Sequence, residues 1–85
     1  MPDFLLSFEV DDTGSCLEIH GDPKGLERLG SLITKLIVNT KDGYFDHDHW
    51  MTPAWGGDEL SQANKGGKVF EHVKIYCWKG DKFQS

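Results

Sequence analysis

One segment of the chain has a helical period, and the segments on either side of it alternate like strands. Asp22-Pro23 is a strong helix start. An aspartate at the N-cap accepts backbone N–H groups that lack intrahelical partners, and a proline at the first helical position has no N–H to leave unpaired. Leu26, Leu29, Ile33, Leu36 and Ile37 follow at helical spacing, an apolar stripe set against Lys24, Glu27, Arg28, Thr34 and Lys35. Such a stripe is stable only when it is buried against another element. In a chain of 85 residues, one modest core is all that can form, so the partner is a sheet.

The strands are read from their period of two. Phe4, Leu6, Phe8 and Val10 alternate with Leu5, Ser7 and Glu9, the turn signal Asp11-Asp12-Thr13-Gly14 follows, and Cys16 to His20 alternates again, so residues 4–20 form a hairpin. Beyond the helix, which ends over Asn39–Gly43, Phe45–Met51 reads as a third strand and Lys68–Lys79 as a longer fourth. Thr52–Gly67 has one proline, four glycines and no period, and reads as a long loop with a functional role. The expected fold is therefore α+β: a single four-stranded, mainly antiparallel sheet in β-β-α-β-β order, one helix packed on one face, and a long loop between strands three and four.

Charge narrows the function. Nine basic residues against fourteen acids give a net charge of −5, and residues 1–22 hold six acids and no base. Nucleic-acid binding needs a basic stripe to displace counterions from phosphates, so it is excluded, and a basic protein is the better partner. No apolar run approaches the ~20 residues that span a bilayer, and acids stand where a signal peptide would carry positive charge, so a cytoplasmic protein is expected. Cys16 and Cys77 lack zinc-ribbon spacing and are expected as reduced thiols packed in the sheet.

The alternation also assigns faces. With Leu17, Ile19, Val69, Val73, Ile75 and Cys77 toward the helix, an open face carries Glu18, His20, Phe70, His72, Lys74, Tyr76 and Trp78. In strand three, burying an unpaired aspartate costs more than burying a hydrogen-bonded imidazole, which puts Asp46, Asp48 and Trp50 on the open face and His47 and His49 toward the helix. The pair His47-x-His49 points both imidazoles to one side, the beginning of a metal site, but nothing in the spacing supplies a third ligand. No serine or cysteine stands in a nucleophile context, and no glycine loop is followed by the lysine of a phosphate site, so neither an enzyme nor a bound cofactor is expected.

What remains is a binding surface. Trp and Tyr carry much of the energy of protein interfaces. The expected partner-binding residues are Asp46, Asp48, Trp50, Trp55, Asp58, Glu59, Tyr76 and Trp78, with His47 and His49 hydrogen-bonding the loop or its carboxylates Asp58 and Glu59, and Gly56-Gly57 permitting its turn. A small metal-binding protein using His47 and His49 is the second reading. Homodimerisation through the open sheet face is a third.

The succession Leu17-Glu18-Ile19-His20-Gly21-Asp22-Pro23-Lys24-Gly25-Leu26-Glu27-Arg28-Leu29, then His47-Asp48-His49, Met51-Thr52-Pro53-Ala54-Trp55-Gly56-Gly57-Asp58-Glu59-Leu60 and His72-Val73-Lys74-Ile75-Tyr76-Cys77-Trp78, resembles the Imm32 family of immunity proteins from bacterial polymorphic toxin systems. The resemblance covers residues 16 to about 79. It implies a single immunity-protein-like domain over residues 1–85, cytoplasmic and α+β, that neutralises a cognate toxin by binding it. It carries over no catalytic residue.

Overall fold

The computed structural model describes residues 3–61 and 66–80, so residues 62–65 of the expected Thr52–Gly67 loop lie outside the described residues. The elements run β1 (Leu6–Val10), β2 (Leu17–Gly21), α1 (Pro23–Asn39), β3 (Phe45–Met51), a short 3-10 turn (Pro53–Trp55), β4 (Lys68–Val69) and β5 (His72–Trp78). The hairpin and the helix start stand as the sequence indicates: β1 and β2 pair antiparallel from Leu6↔Gly21 to Val10↔Leu17. Asp22 Oδ1 accepts the Gly25 amide at 2.7 Å. A Cβ on Gly25 would stand 1.7 Å from the Leu5 carbonyl oxygen, so the first turn of α1 lies hard against the chain entering β1.

The single four-stranded sheet does not form. Among the described residues five strands make two sheets, one of three strands in the order β2-β1-β4 and one of two, β3-β5. The expected fourth strand divides at Phe70-Glu71 because its two halves serve different neighbours. Lys68 and Val69 pair with Val10 and Glu9, and Phe70 donates its amide to Phe8 O at 2.8 Å. Farther along β1 the edge is already occupied: Ser61 donates its amide to Leu6 O at 2.9 Å, and its hydroxyl accepts the Leu6 amide at 3.0 Å. Glu71 therefore turns to β3, where its carbonyl accepts the Thr52 amide at 3.0 Å and its carboxylate accepts the Thr52 hydroxyl at 2.9 Å.

Leu6, Phe8, Trp50 and Leu60 form the buried centre of the core, ringed by Phe4, Leu29, Leu32, Ile33, Val73 and Ile75. Trp50 is 1% exposed and tilts against Phe8, ring centroids 6.1 Å apart. The helical stripe is narrower than its spacing suggests, since Leu26 and Ile37 are each 48% exposed while Leu36 is buried. Leu17 and Ile19, expected beneath the helix, are largely exposed. Of the two free thiols, Cys77 is half-buried in β5, but Cys16 is exposed in the β1–β2 turn region rather than packed.

Candidate partner-binding surface

The β3–β5 ladder fixes which side chains share a face. Its register runs Phe45↔Trp78, His47↔Tyr76, His49↔Lys74 and Met51↔His72, alternating with Asp46↔Cys77, Asp48↔Ile75 and Trp50↔Val73. Directly opposed residues lie on the same side of a sheet. The outer face therefore carries Phe45, His47, His49, Met51, His72, Lys74, Tyr76 and Trp78, and the inner face Trp50, Val73 and Ile75 against the core.

This reverses the faces expected for β3. Trp50 is in the core and the histidines are outside, because the apolar area of an indole gains more from burial than an imidazole does, and the aspartates are not left unpaired on the inner side. Asp48 accepts the Trp50 indole N–H at 3.1 Å through Oδ2 and the His49 amide at 3.0 Å through Oδ1. Asp46 Oδ1 accepts the His47 amide at 2.8 Å.

On the outer face seven rings follow one another without a break. Phe45 stacks on Trp78 at 4.6 Å, Trp78 lies 6.1 Å from Tyr76, and Tyr76 stacks on His47 at 5.1 Å. His47 then meets His49 at 4.9 Å, His49 stacks on His72 at 5.0 Å, and Trp55 closes the row 5.6 Å from His72. Phe45, Trp55, Tyr76 and Trp78 are between 44% and 57% exposed. So large a run of half-exposed aromatics makes this face the candidate interaction surface.

The three imidazoles are linked to one another. His47 Nε2 lies 3.1 Å from His49 Nε2, and His49 Nδ1 lies 2.8 Å from His72 Nε2. His49 thus turns opposite ring nitrogens to its two neighbours, so the three rings do not converge on a point where one metal ion would sit. Among the described residues no group of three or more His, Cys, Asp or Glu is arranged to hold a metal. Desolvation first, then the neighbouring His47 and His72 and, after them, Lys74, push the His49 imidazole below its ordinary value of 6.5, against a smaller opposing pull from Asp48.

The loop is held by groups other than the histidines. Glu59 Oε1 accepts the Met51 amide at 3.0 Å, Met51 O accepts the Leu60 amide at 3.3 Å, and Thr52 O accepts the Gly57 amide at 3.0 Å. Arg28 donates to Asp58 O at 3.2 Å. Gly56 closes the 3-10 turn with φ of 84°, and a Cβ on Gly57 would meet Met51 O at 2.6 Å. Carboxylate acceptance by Glu59 replaces the expected imidazole bonds because the Met51 amide is the donor that the loop leaves nearest to it. Of the expected partner-binding residues, Trp55, Tyr76 and Trp78 share the outer face with the ring row, exposed Asp58 lies beside Arg28, and Trp50, Asp46, Asp48 and Glu59 are turned to the core or the strand edge. Phe45 and His72 join the row although neither is among the expected partner-binding residues; strand parity already puts His72 on the open face, whereas Phe45 is expected on the side of His47 and His49. The antiparallel alignment of Phe45-x-His47-x-His49 with His72-x-Lys74-x-Tyr76-x-Trp78 is the signal that brings Phe45 onto the face of His72.

The described residues thus form a small α+β scaffold with an exposed aromatic face on β3 and β5. Residues 17–73 match the family model of immunity protein 32, and the chain belongs to that Imm32 family. No curated protein and no solved structure matches it. Among the described residues no helix is long and apolar enough to cross a membrane.

Proposed function

We propose that this protein is a cytoplasmic immunity protein that binds and neutralises a cognate bacterial toxin domain, acting as a single domain over residues 1–85 and without catalysis. The outer face of β3 and β5, with Trp55 at its end, is the contact surface. The observation that carries the reading is the unbroken ring row from Phe45 to Trp55 in a member of an immunity family. Trp55, Tyr76 and Trp78 supply large apolar area at low cost in side-chain entropy, and His47, His49 and His72 supply donors and acceptors between them. The net charge of −5 favours encounter with a basic toxin domain, while the contact itself is aromatic. Asp46, Asp48 and Glu59 act through the strand edge, and Trp50 supports the face from beneath.

This reading expects a toxin domain encoded beside this gene, and the test is binding to that domain. Calorimetry with Trp55→Ala and with Trp78→Ala is expected to show a loss of about 2 kcal/mol each, the scale of interface hot spots, and co-expression of the double variant is expected to leave cells unprotected. Full affinity with both rings removed would move the contact away from this face.

A further inference from the structure

The two edges of the β3–β5 ribbon are treated differently by the chain. Thr52 donates to Glu71 O and Lys79 donates to Tyr44 O, which fixes the direction of every amide between them. Even-numbered residues of β3 and odd-numbered residues of β5 point into the ladder; the others point outward. On β3 the outward amides are capped by carboxylates, His47 by Asp46, His49 by Asp48 and Met51 by Glu59. A strand edge covered in this way cannot template a new strand.

Over His72, Lys74 and Tyr76 the outer edge of β5 has no such cover among the described residues. The backbone amides and carbonyls of His72, Lys74 and Tyr76 on that side have no hydrogen-bond partner among the described residues. Beside its start, where β1 parts from it, a shallow apolar groove opens between Phe8, Leu17, Phe70, His72 and Val73. Val73, Ile75 and Cys77, the inward side chains of β5, are only half-buried. An uncapped edge flanked by half-buried apolar side chains is a place where another strand adds.

We propose that this edge pairs with the same edge of a second copy of this chain, antiparallel, about a two-fold axis through Ile75. The register follows from parity. With Ile75 facing Ile75, Lys74 faces Tyr76 of the second copy and Tyr76 faces its Lys74, so outward-pointing backbone groups meet and exchange both hydrogen bonds. Ile75 falls at a non-hydrogen-bonded position, where side chains approach most closely. No like charges oppose one another: each lysine ammonium lies beside a tyrosine ring. Residues 72–79 carry Lys74 and Lys79 and no acid, so this edge is where two chains of net charge −5 repel least. The product is a four-stranded sheet, β3-β5-β5-β3, whose outer face joins the two ring rows into one platform. This pairing does not depend on the toxin-binding reading.

Sedimentation velocity of the full chain up to about 500 µM, the range in which small interfaces associate, is expected to show a monomer–dimer equilibrium. Lys74→Pro removes an outward amide and leaves the bonds to β3, since proline is tolerated on an edge, and is expected to be monomeric throughout. In a Cys16→Ser, Cys77→Ser background, Ile75→Cys is expected to cross-link to itself under mild oxidation, because Cα atoms about 4.5 Å apart accept a disulfide, whereas Val73→Cys is not. A wild-type chain that stays monomeric, or a dimer that survives Lys74→Pro without cross-linking at residue 75, would overturn the pairing. Amide protection of residues 72–76 that appears only when a toxin domain is bound would assign the edge to the toxin and overturn it equally.

Discussion

The inner and outer faces of the β3–β5 ribbon are built from the same two strands and hold aromatic residues in opposite ways. On the inner face Trp50 is surrounded, its indole N–H satisfied by Asp48 and its ring set against Phe8. On the outer face Phe45, Tyr76 and Trp78 stay half in water and lean on one another and on imidazoles. An indole enclosed by the fold contributes to stability in every molecule. One held on an open face contributes mainly when a partner covers it. The difference teaches that counting aromatic residues does not say which of them the fold leaves exposed; the parity of the strand does.

The largest expected effect breaks this comparison most directly. Trp50→Ala empties the centre of the core and should cost about 3–5 kcal/mol in urea denaturation, the range for buried tryptophan truncation. Trp78→Ala should cost no more than about 1.5 kcal/mol of stability, the worth of a stacked aromatic pair, while weakening binding by about 2 kcal/mol. Equal destabilisation by the two changes would erase the distinction between the faces.

A smaller effect sharpens it at the strand edge. Asp48→Ala leaves the Trp50 indole and the His49 amide without their acceptor and should destabilise by about 1–2 kcal/mol. A full-strength wild-type denaturation midpoint in that variant would show that the aspartate is a surface charge after all.

The smallest expected effect is a pH dependence carried by His49. His49 has its pKa lowered in the fold, by desolvation first and then by His47, His72 and Lys74, so the unfolded chain binds its proton more readily. Its contribution to stability is therefore fully present above the ordinary imidazole value of 6.5 and is lost as pH falls through the lowered one. Thermal midpoints measured from pH 8 to pH 5 should fall more gently in His49→Gln than in the wild type. An unchanged slope would mean that the fold does not disfavour the protonated form of His49.

Much of the fold was legible because it rests on local chemistry. Asp22-Pro23 starts the helix, Asp11–Gly14 turns the hairpin, and the alternation of Phe45–Met51 and of His72–Trp78 marks strands whatever they pair with. The ring row was half legible. Tyr76 and Trp78 follow from the parity of β5, but the matching parity of β3 was assigned by the cost of burying aspartate alone. That cost vanished once Asp46 and Asp48 could accept amides of their own strand.

The sequence by itself determined the hairpin, the helix and the strand character of Phe45–Met51 and His72–Trp78, the acidity and the membership of an immunity family, because each depends on residue types and on spacings of a few positions. Only the tertiary structure decided that one long strand would become β4 and β5, since this required Ser61, distant in sequence, to occupy the edge of Leu6 first. It also decided which face of β3 meets the core and which edge of the ribbon stays open. Those choices turn on competition between groups brought together from different parts of the chain, where the area of one indole and the reach of three carboxylates outweigh what each residue prefers alone.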